Sequence, residues 1–311
     1  MTAALKVLAP GPSTTVQDRG RFDFQHMGVP MSGVADALAY RVANRLVGNP
    51  TGCAVLEATL VGPRVEALCP ADIALTGART ALTVNGQSVR GWMSIRVGPG
   101  DVVDVGAADN GCRSYLAITG GIDTPPVMGS RSTYLGGRLG GLEGRPLKTG
   151  DVLHRGMGRL LDRPRRLPWH PLYAAKTCLR AIAGPQEAFF KASLDHFFAS
   201  DFTVTAQANR MGYRLGGPAM SRDADAPASI ISEPIMPGNV QVPADGQPII
   251  LLAEQTLGGY AKIATVISTD LFKVAQAKPG DIFHFIPVTL AQAHDIGRQW
   301  AAYLNQLDES L

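Results

Sequence analysis

The amino-acid sequence predicts a mainly β protein with peripheral helices, an α+β fold, built from two similar units. Glycine (35) and proline (22) together exceed the roughly 12% of average usage, which favours a turn-rich chain over a helical one. Short runs of apolar and β-branched residues recur along the chain, as strands require. A Gly-Asp pair followed by a β-branched residue occurs at 100–102, 150–152 and 280–282, and each copy is typical of a tight turn that leads into a strand.

The chain of 311 residues is long enough for two domains. The basic, proline-containing run RPRRLPWHP at 163–171 is the natural linker between them. We therefore predict an N-terminal β unit at 1–165, a linker at about 163–175, and a C-terminal β unit at 176–311 that ends in a helix.

The first unit is predicted to begin with a strand at 5–9 and a polar, glycine-punctuated segment at 14–36. That segment suggests either a hydrogen-bonded loop scaffold or the wall of a site. A helix is predicted from about Val34 to Val47, because apolar residues recur at helical spacing. Further strands are predicted at 72–75, 81–84, 89–97, 102–105 and 115–118, with a two-residue hairpin turn at Asn85-Gly86.

A glycine-rich run at 137–145 is expected to form an exposed loop, because glycine disfavours regular structure. Arg131 and Arg138 flank or begin this run and could bind an anion. The alternative is that they are ordinary surface arginines.

The second unit is predicted to contain strands at 179–182, 202–205, 240–242, 249–253 and 263–267. A helix is expected from about Pro185 to Phe198, with its phenylalanines in the core. A short helix at 270–277 and a final helix follow. Thr289 and Gln292 have the spacing of a capping box at the start of that final helix.

Composition excludes several classes of function. A net charge of +3 gives no support for nucleic-acid binding, although five arginines cluster at 155–166, where a solvated linker and a partner surface are the alternatives. The four cysteines lack CxxC spacing and indicate free thiols in a reducing compartment. No signal-peptide pattern and no apolar run near 18 residues occurs, so the expected location is cytoplasmic, without membrane contact.

Familiar catalytic motifs are also missing from the sequence. There is no P-loop, no GxSxG motif and no histidine or cysteine spacing typical of a metal site, so we expect no metal and no cofactor bound by this chain. If the chain takes part in ATP-driven chemistry, another protein of the same complex is expected to bind the nucleotide.

The best candidate site is the turn at 254–262, between two strand-like runs. A glycine pair there lets backbone N–H groups approach a ligand, because no Cβ stands in the way. Tyr260 and Lys262 are two residues apart, so on a strand they would share one face. Polar clusters at 206–217 and 232–243 could supply a second wall of the site. The alternative interpretation of the turn at 254–262 is a solvated hairpin end without a function. The candidate residues are Glu254, Gln255, Gly258, Gly259, Tyr260 and Lys262 from the turn, with Asn209, Arg210 and Gln241 from the clusters.

Eight motifs, spread over nearly the whole chain, resemble the KipA / PxpC family, also called allophanate hydrolase subunit 2 or urea amidolyase-related. They are TTVQDRGR (14–21), GVP (28–30), RVANRLVGN (41–49), LEATLVGP (56–63), SYLAITGG (114–121), NRMGYRL (209–215), SEPIMPGNVQVP (232–243) and QTLGGYAKIATVISTDL (255–271). The resemblance implies two cyclophilin-like β-barrel subdomains. It also implies the C subunit of an ATP-dependent 5-oxoprolinase, a hydrolase that opens the cyclic amide 5-oxoproline to glutamate.

The resemblance further implies a complex with a KipI-type (PxpB-type) B subunit and with an activating, PxpA-type A subunit. A homo-oligomer of the B–C unit is left open. Two alternatives remain. One is a biotin-dependent carboxyltransferase of urea or amide metabolism, which a neighbouring biotin carboxylase gene would favour. The other is a non-catalytic regulator that binds a KipI-type kinase inhibitor, which a neighbouring sporulation-type kinase gene would favour.

Within this family resemblance, we expect Arg210 and Lys262 to bind a carboxylate or oxyanion. Asn209, Gln241 and Gln255 would orient the amide. Tyr260 would donate a proton or hydrogen bond, and Glu254 is the candidate base. The stretch AEQTLGGY at 253–260 is one residue shorter than the family pattern, so Glu254 either replaces the family's aspartate or that carboxylate position is lost.

Overall fold

A computed structural model describes residues 2–227 and 229–311 of the chain. The chain forms two compact units. The first contains residues up to Phe24 together with Met31–Leu172 and Leu307–Leu311, and the second contains Gln25–Pro30 and Tyr173–Gln306. Over the described residues strands predominate over helices, and each unit is built on a β-sheet or β-barrel, which confirms the predicted fold class.

The first unit is a nine-stranded antiparallel sheet with one α-helix. Its elements are β1 (Thr2–Ala9), β2 (Thr14–Gln17), α1 (Ala37–Leu46), β3 (Val55–Thr59), β4 (Arg64–Ala67), β5 (Ala71–Val84), β6 (Gln87–Ser88), β7 (Ser94–Val97), β8 (Val102–Ile118) and β9 (Val152–Arg155). The strand order is β2-β3-β8-β4-β1-β9, with β5 paired to β8 and with β6 and β7 paired to β5. Alternate residues of these strands form an aliphatic core that includes Leu5, Leu56 and Ile73.

Two long strands replace four of the predicted short ones. The runs at 72–75 and 81–84 belong to the single strand β5, and those at 102–105 and 115–118 belong to β8. The pairing of β5 with β8 continues between these runs through register shifts between Gly77 and Leu82. Gly77 has a positive φ of 83°, and a Cβ there would lie 2.3 Å from the Arg113 carbonyl oxygen. The strands therefore bend at bulges instead of ending.

The predicted strand at 89–97 is wrong in its first half, since β7 covers only Ser94–Val97. Trp92 has a φ of +58°, a left-handed conformation that interrupts a strand. The Asn85-Gly86 turn is confirmed. Val84 pairs with Gln87 across it, and φ values of 52° and 77° match the type I′ geometry that this dipeptide favours.

Helix α1 is shorter than predicted because the residues before it are hydrogen-bonded elsewhere. The Val34 N–H donates to the Asp18 carbonyl oxygen and the Ala35 N–H to Glu57 Oε2. Asp36 is the N-cap, and its Oδ1 accepts from the Ala39 N–H at 2.9 Å.

The glycine-rich run at 137–145 is only in part the exposed loop that its composition predicted. Gly140, Gly141 and Gly144 are buried, and short bridges join Tyr134 to Leu139 and Leu142 to Arg145. A Cβ at Gly140 would lie 2.2 Å from the Ser132 carbonyl oxygen, so glycine here serves close backbone packing.

The second unit is a closed β-barrel with two α-helices and most of a third, whose last residues, from Leu307, are assigned to the first unit. Its elements are β10 (Lys176–Ala183), α2 (Lys191–Ala199), β11 (Asp201–Ala208), β12 (Gly212–Gly216), β13 (Glu233–Pro234), β14 (Asn239–Gln241), β15 (Ile249–Leu251), β16 (Leu257–Gly258), β17 (Lys262–Val266), α3 (Leu271–Gln276), β18 (Ile282–Pro287) and α4 (Leu290–Ser310). The barrel order is β10-β17-β14-β15-β12-β11-β18, and β13 pairs with β16 as a separate two-stranded ribbon. The barrel closes by a parallel pairing of β10 with β18.

Aromatic residues fill the barrel core. Phe197 of α2 stacks on Phe285 at 4.5 Å between ring centroids, and Phe202 packs against both. The predicted helix at 185–198 begins instead as a 3₁₀ turn at Glu187–Phe189 before α2. Phe190 and Phe197 are fully buried as expected, whereas Phe189, Leu194 and Phe198 are only partly buried.

The capping box of the last helix is confirmed. The Thr289 N–H donates to Gln292 Oε1 at 2.8 Å, and the Gln292 N–H donates to Thr289 Oγ1 at 3.2 Å. Among the described residues, no helix combines the length and the apolar character that crossing a membrane requires.

Candidate active site in the second unit

Lys262 begins β17 and its side chain is buried, with 4% exposed. Its Nζ donates to Glu233 Oε1 on the ribbon strand β13. Gln186 Nε2 donates to the same carboxylate oxygen at 2.9 Å, and Gln186 Oε1 accepts from the Lys262 N–H at 3.1 Å. Gln186 therefore holds both members of the ion pair in position.

The pKa of Glu233 is lowered from its usual value, first by the hydrogen bond from Lys262 and then by the one from Gln186. Glu233 is therefore a carboxylate at neutral pH, and the Lys262 ammonium acts as a hydrogen-bond donor and positive charge. The Glu233 side chain is 39% exposed, so the pair has one buried and one accessible member.

Gln241 lies opposite Lys262 in the pairing of β14 with β17. The residue is 4% exposed, and its Nε2 is buried without a hydrogen-bond partner among the described residues. Leaving a buried amide N–H unsatisfied costs roughly 1–3 kcal/mol, so such groups in native proteins call for an explanation. A ligand acceptor is the explanation that this location favours.

Gly258 packs directly on the Gln241 amide. The ribbon pairs Glu233 with Gly258, and a Cβ at Gly258 would lie only 2.2 Å from Gln241 Nε2. Gly259 is less confined, since the nearest atom to a Cβ added there would be the Ile230 carbonyl oxygen at 3.3 Å. Of the two predicted glycines, Gly258 has the stronger steric reason to be glycine.

Arg210 and Glu254 form a second ion pair. Arg210 lies in the turn between β11 and β12, and its Nε donates to Glu254 Oε1 at 2.6 Å. The two side chains are 13% and 6% exposed. The structure thus pairs the two cations that were predicted to bind substrate with two different carboxylates, Glu254 and Glu233.

The remaining predicted residues occupy more open positions. Asn209 is exposed, and its Oδ1 accepts from the Met211 N–H at 2.8 Å and from the Gly212 N–H at 3.4 Å, which caps the β11–β12 turn. Gln255 is half-buried. Tyr260 is 45% exposed and precedes β17, so its environment differs from that of Lys262.

Gln186 is the residue that sequence reasoning missed. It is 76 positions from Lys262 and 47 from Glu233, in a segment that was assigned to a helix with an aromatic core face. No local pattern signals its role, because the contact exists only after the barrel has formed. Glu233 was noted only as one member of a polar cluster.

The described residues contain no cluster of three or more histidine, cysteine or acidic side chains that could hold a metal ion. The site instead offers fixed charges and amide groups. It has a buried ammonium beside an accessible carboxylate, an unpartnered amide N–H and close backbone at Gly258. These groups can bind and polarise a carbonyl compound through hydrogen bonds.

Residues 27–287 match a family model described as "Carboxyltransferase domain, subdomain A and B". The chain is 40% identical to the C subunit of 5-oxoprolinase from Escherichia coli (strain K12) over 97% of both proteins. It is 33% identical to "Urea amidolyase" of Saccharomyces cerevisiae, spanning 98% of this chain but only 18% of that protein. Among solved structures, Kluyveromyces lactis urea carboxylase matches with a TM-score of 0.91 and 32% identity, over 100% of this chain and 30% of that one.

Proposed function

The chain belongs to the carboxyltransferase domain family, subdomains A and B, and from this we propose that it is the C subunit of an ATP-dependent 5-oxoprolinase. The reaction opens the lactam of 5-oxo-L-proline to L-glutamate. The similarity to the E. coli protein of that name supports the proposal, because 40% identity extends over 97% of both proteins.

The observation that carries the proposal is the buried, unpartnered amide of Gln241 beside Lys262 and Gly258. A lactam carbonyl oxygen is an acceptor that this N–H can bind. The oxygen gains negative charge when the amide carbon is attacked, and a fixed donor stabilises that charge. Because Gly258 has no Cβ, it packs against this amide without a clash.

Arg210 and Lys262 are proposed to bind the substrate carboxylate or an activated oxyanion, each in exchange for its present carboxylate partner. Glu254 then loses its contact with Arg210 and can act as the base, and Tyr260 can donate a proton to the leaving nitrogen. Asn209 and Gln255 are proposed to orient the substrate from the rim, with Gly259 allowing close backbone approach.

A KipI-type B subunit and a PxpA-type A subunit are the proposed partners, since the E. coli relative is named as one subunit of an enzyme. An unstrained amide resists hydrolysis, so ATP-driven activation is chemically reasonable. We propose that ATP is bound outside this chain, whose sequence lacks a P-loop, and that this chain contributes substrate-binding groups and no metal.

The test is co-purification with the products of neighbouring genes, followed by an assay of ATP-dependent 5-oxoproline hydrolysis. Lys262→Ala should leave the melting temperature of the barrel nearly unchanged and reduce turnover at least 100-fold. Lys273→Ala, which removes a lysine elsewhere in the second unit, is the control and should retain turnover. Unchanged turnover in Lys262→Ala would refute the assigned site.

Carboxyl transfer from biotin is the second candidate, favoured by the description of the family model and by the urea carboxylase structure. The Gln241 N–H and the neighbouring Leu257, 54% exposed, fit a ureido ring with an apolar tail. Biotin would supply a transferable carboxyl group there, and Gln241 would orient the ureido oxygen. Transfer of carboxylate from carboxybiotin to urea or an amide, with no hydrolysis of 5-oxoproline, would favour this candidate.

A further inference from the structure

The first unit contains a cavity of about 770 Å³ beside β5, which we call the Trp92 pocket. Its walls come from β5, from the connection at 89–93 and from the linker at 166–170. The volume lies within the roughly 300–1,000 Å³ of small-molecule sites. The groups of the proposed active site belong to the second unit, so this cavity needs a separate explanation.

The Trp92 pocket has a strong positive charge. Arg79, Arg90 and Arg166 line it, and none of the described lining residues is acidic. Arg79 donates to Asp109 at 2.7 Å, but the side chains of Arg90 and Arg166 form no ion pair or hydrogen bond with any described residue. Two uncompensated guanidinium groups that line one cavity favour an anionic ligand, and a phosphate offers the several oxygens that two arginines can bind together.

An exposed ring, that of His170, lines the same pocket and rests on the buried indole of Trp92. The Trp92 indole is 6% exposed, and the His170 imidazole stacks on it with 5.9 Å between centroids and 19° between planes. Planar rings stack on such surfaces with little dependence on their substituents. The pocket therefore combines a ring-binding wall with an anion-binding rim.

Trp92 is held in this wall by a strained backbone. Its φ of +58° is rare for a bulky side chain. The conformation is fixed on both sides, because the Trp92 N–H donates to the Leu75 carbonyl oxygen at 2.7 Å and the Leu167 N–H donates to the Trp92 carbonyl oxygen at 2.9 Å. Strain that the surrounding structure maintains is typical of ligand sites.

A polar group in the wall also lacks a partner. Thr80 Oγ1 is buried and forms no hydrogen bond with any described residue. A hydroxyl can donate or accept, so Thr80 suits a ligand that carries both kinds of group, as sugars and nucleobases do.

We propose that the Trp92 pocket binds a nucleoside monophosphate or a closely similar planar phosphate ester. The base packs against the exposed His170 ring, which Trp92 supports from below, the phosphate binds Arg90 and Arg166, and Thr80 bonds the sugar or base. This is a binding site without group transfer, and it is independent of the proposed active site.

Isothermal titration of the full chain with AMP tests the proposal. We expect saturable binding of one AMP per chain, with adenosine and inorganic phosphate each binding at least tenfold more weakly, since each makes only part of the contacts. Benzoate, a planar ring that carries a carboxylate, tests whether the pocket accepts an aromatic anion that is not a nucleotide. Benzoate binding at least as tightly as AMP would overturn the assignment to nucleotides.

Arg90→Ala and Arg166→Ala should each weaken AMP binding about tenfold, because each removes a charge-assisted hydrogen bond. Arg163→Ala is the matched control, an exposed arginine of the same linker that does not line the Trp92 pocket. An equal loss in Arg163→Ala would show non-specific charge attraction and overturn the site. Absence of AMP binding at millimolar concentration would overturn it as well.

Tryptophan fluorescence gives a second readout that does not depend on the arginines. The chain has three tryptophans, so quenching by AMP should disappear in Trp92→Phe and persist in Trp300→Phe. Both variants are checked for an unchanged melting temperature before titration. Quenching that persists in folded Trp92→Phe would overturn the proposal.

Discussion

Two buried polar groups, Asp18 in the first unit and Gln241 in the second, have opposite hydrogen-bonding states. Asp18 Oδ1 accepts from the Gly20 N–H at 2.8 Å and from the hydroxyls of Ser130 and Ser132 at 2.6 Å each, and Oδ2 accepts from the Arg131 N–H at 2.6 Å. Gln241, which is also buried, has an amide nitrogen with no partner among the described residues.

This difference in hydrogen bonding distinguishes a buried residue that stabilises the fold from one that is available to bind a ligand. A carboxylate whose oxygens accept four hydrogen bonds has little capacity left for a ligand, and it ties the segment at 14–36 to the chain near residue 131. This supports the scaffold interpretation of Asp18 over the site-wall alternative. An amide nitrogen whose two N–H donors have no partner among the described residues has the capacity that Asp18 lacks. Residue type and burial alone would not distinguish the two positions.

The largest effect is expected when Asp18 is removed. Asp18→Ala leaves four donors without their acceptor, three of them in buried residues, and we expect a loss of roughly 3–5 kcal/mol in the free energy of unfolding. Urea denaturation of the full chain measures this value. Asp18→Asn keeps part of the acceptor capacity and should lose less. A loss below about 1 kcal/mol in Asp18→Ala would contradict the structural role assigned to Asp18.

Gln241→Leu should show the opposite pattern. Replacing an unsatisfied amide by an apolar group of similar size leaves stability within about 1 kcal/mol or raises it. If Gln241 stabilises the reacting carbonyl, turnover in the assembled complex falls roughly 100-fold, as for other lost oxyanion donors. Denaturation and 5-oxoproline turnover are measured on the same preparation. A large stability loss with normal turnover would make Gln241 a structural residue like Asp18.

Gly258→Ala tests whether the close packing of Gly258 on the Gln241 amide requires glycine. The added Cβ would lie 2.2 Å from Gln241 Nε2, so the amide must shift, and we expect about a tenfold loss of turnover and a destabilisation of roughly 1–2 kcal/mol. Gly259→Ala is the matched control, because the Cβ added there would lie no closer than 3.3 Å to any neighbouring atom, the Ile230 carbonyl oxygen. Equal effects in the two variants would mean that the Gln241 contact is not what requires glycine.

The smallest effect concerns the Lys262–Glu233 pair. The pKa of Glu233 is lowered by Lys262 and Gln186, so its stabilising contribution is complete above the ordinary glutamate pKa of about 4.3 and disappears as pH falls through the lowered value. Since the Glu233 side chain is 39% exposed, we expect no more than about 0.5 kcal/mol. Melting temperatures of the parent and Glu233→Gln should converge between pH 5 and pH 3. A difference in melting temperature that does not change with pH would show that this ion pair is not its cause.

The sequence predicted features whose determinants are local. The Asn85-Gly86 turn and the Thr289–Gln292 capping box each depend on residues at most three positions apart, and both are present. The continuity of β5 and β8 could not be predicted, because it depends on bulges that form only when the two strands pair.

The site was predictable in part for the same reason. The turn at 254–262 and the cluster around Gln241 stand out by composition, and the structure pairs Gln241 with Lys262 across two strands. The partners of the two cations were not predictable. Glu254 was expected to act as a base and is found bonded to Arg210, and Gln186 reaches Lys262 only through the barrel.

The parallel pairing of β10 with β18 has a consequence for how the second unit folds. It joins Lys176 to Ile282, and the other neighbour of β10 is β17, so the first strand of the barrel pairs only with strands from the C-terminal part of the chain. Closing so long a loop before its contacts form is slow, and barrel closure is the expected rate-limiting step of folding. Until then β10 and β11 have exposed edges that can pair with other chains. A ribosome-bound chain that stalls before residue 282 therefore lacks the strand that covers both edges, and we expect it to be prone to aggregation.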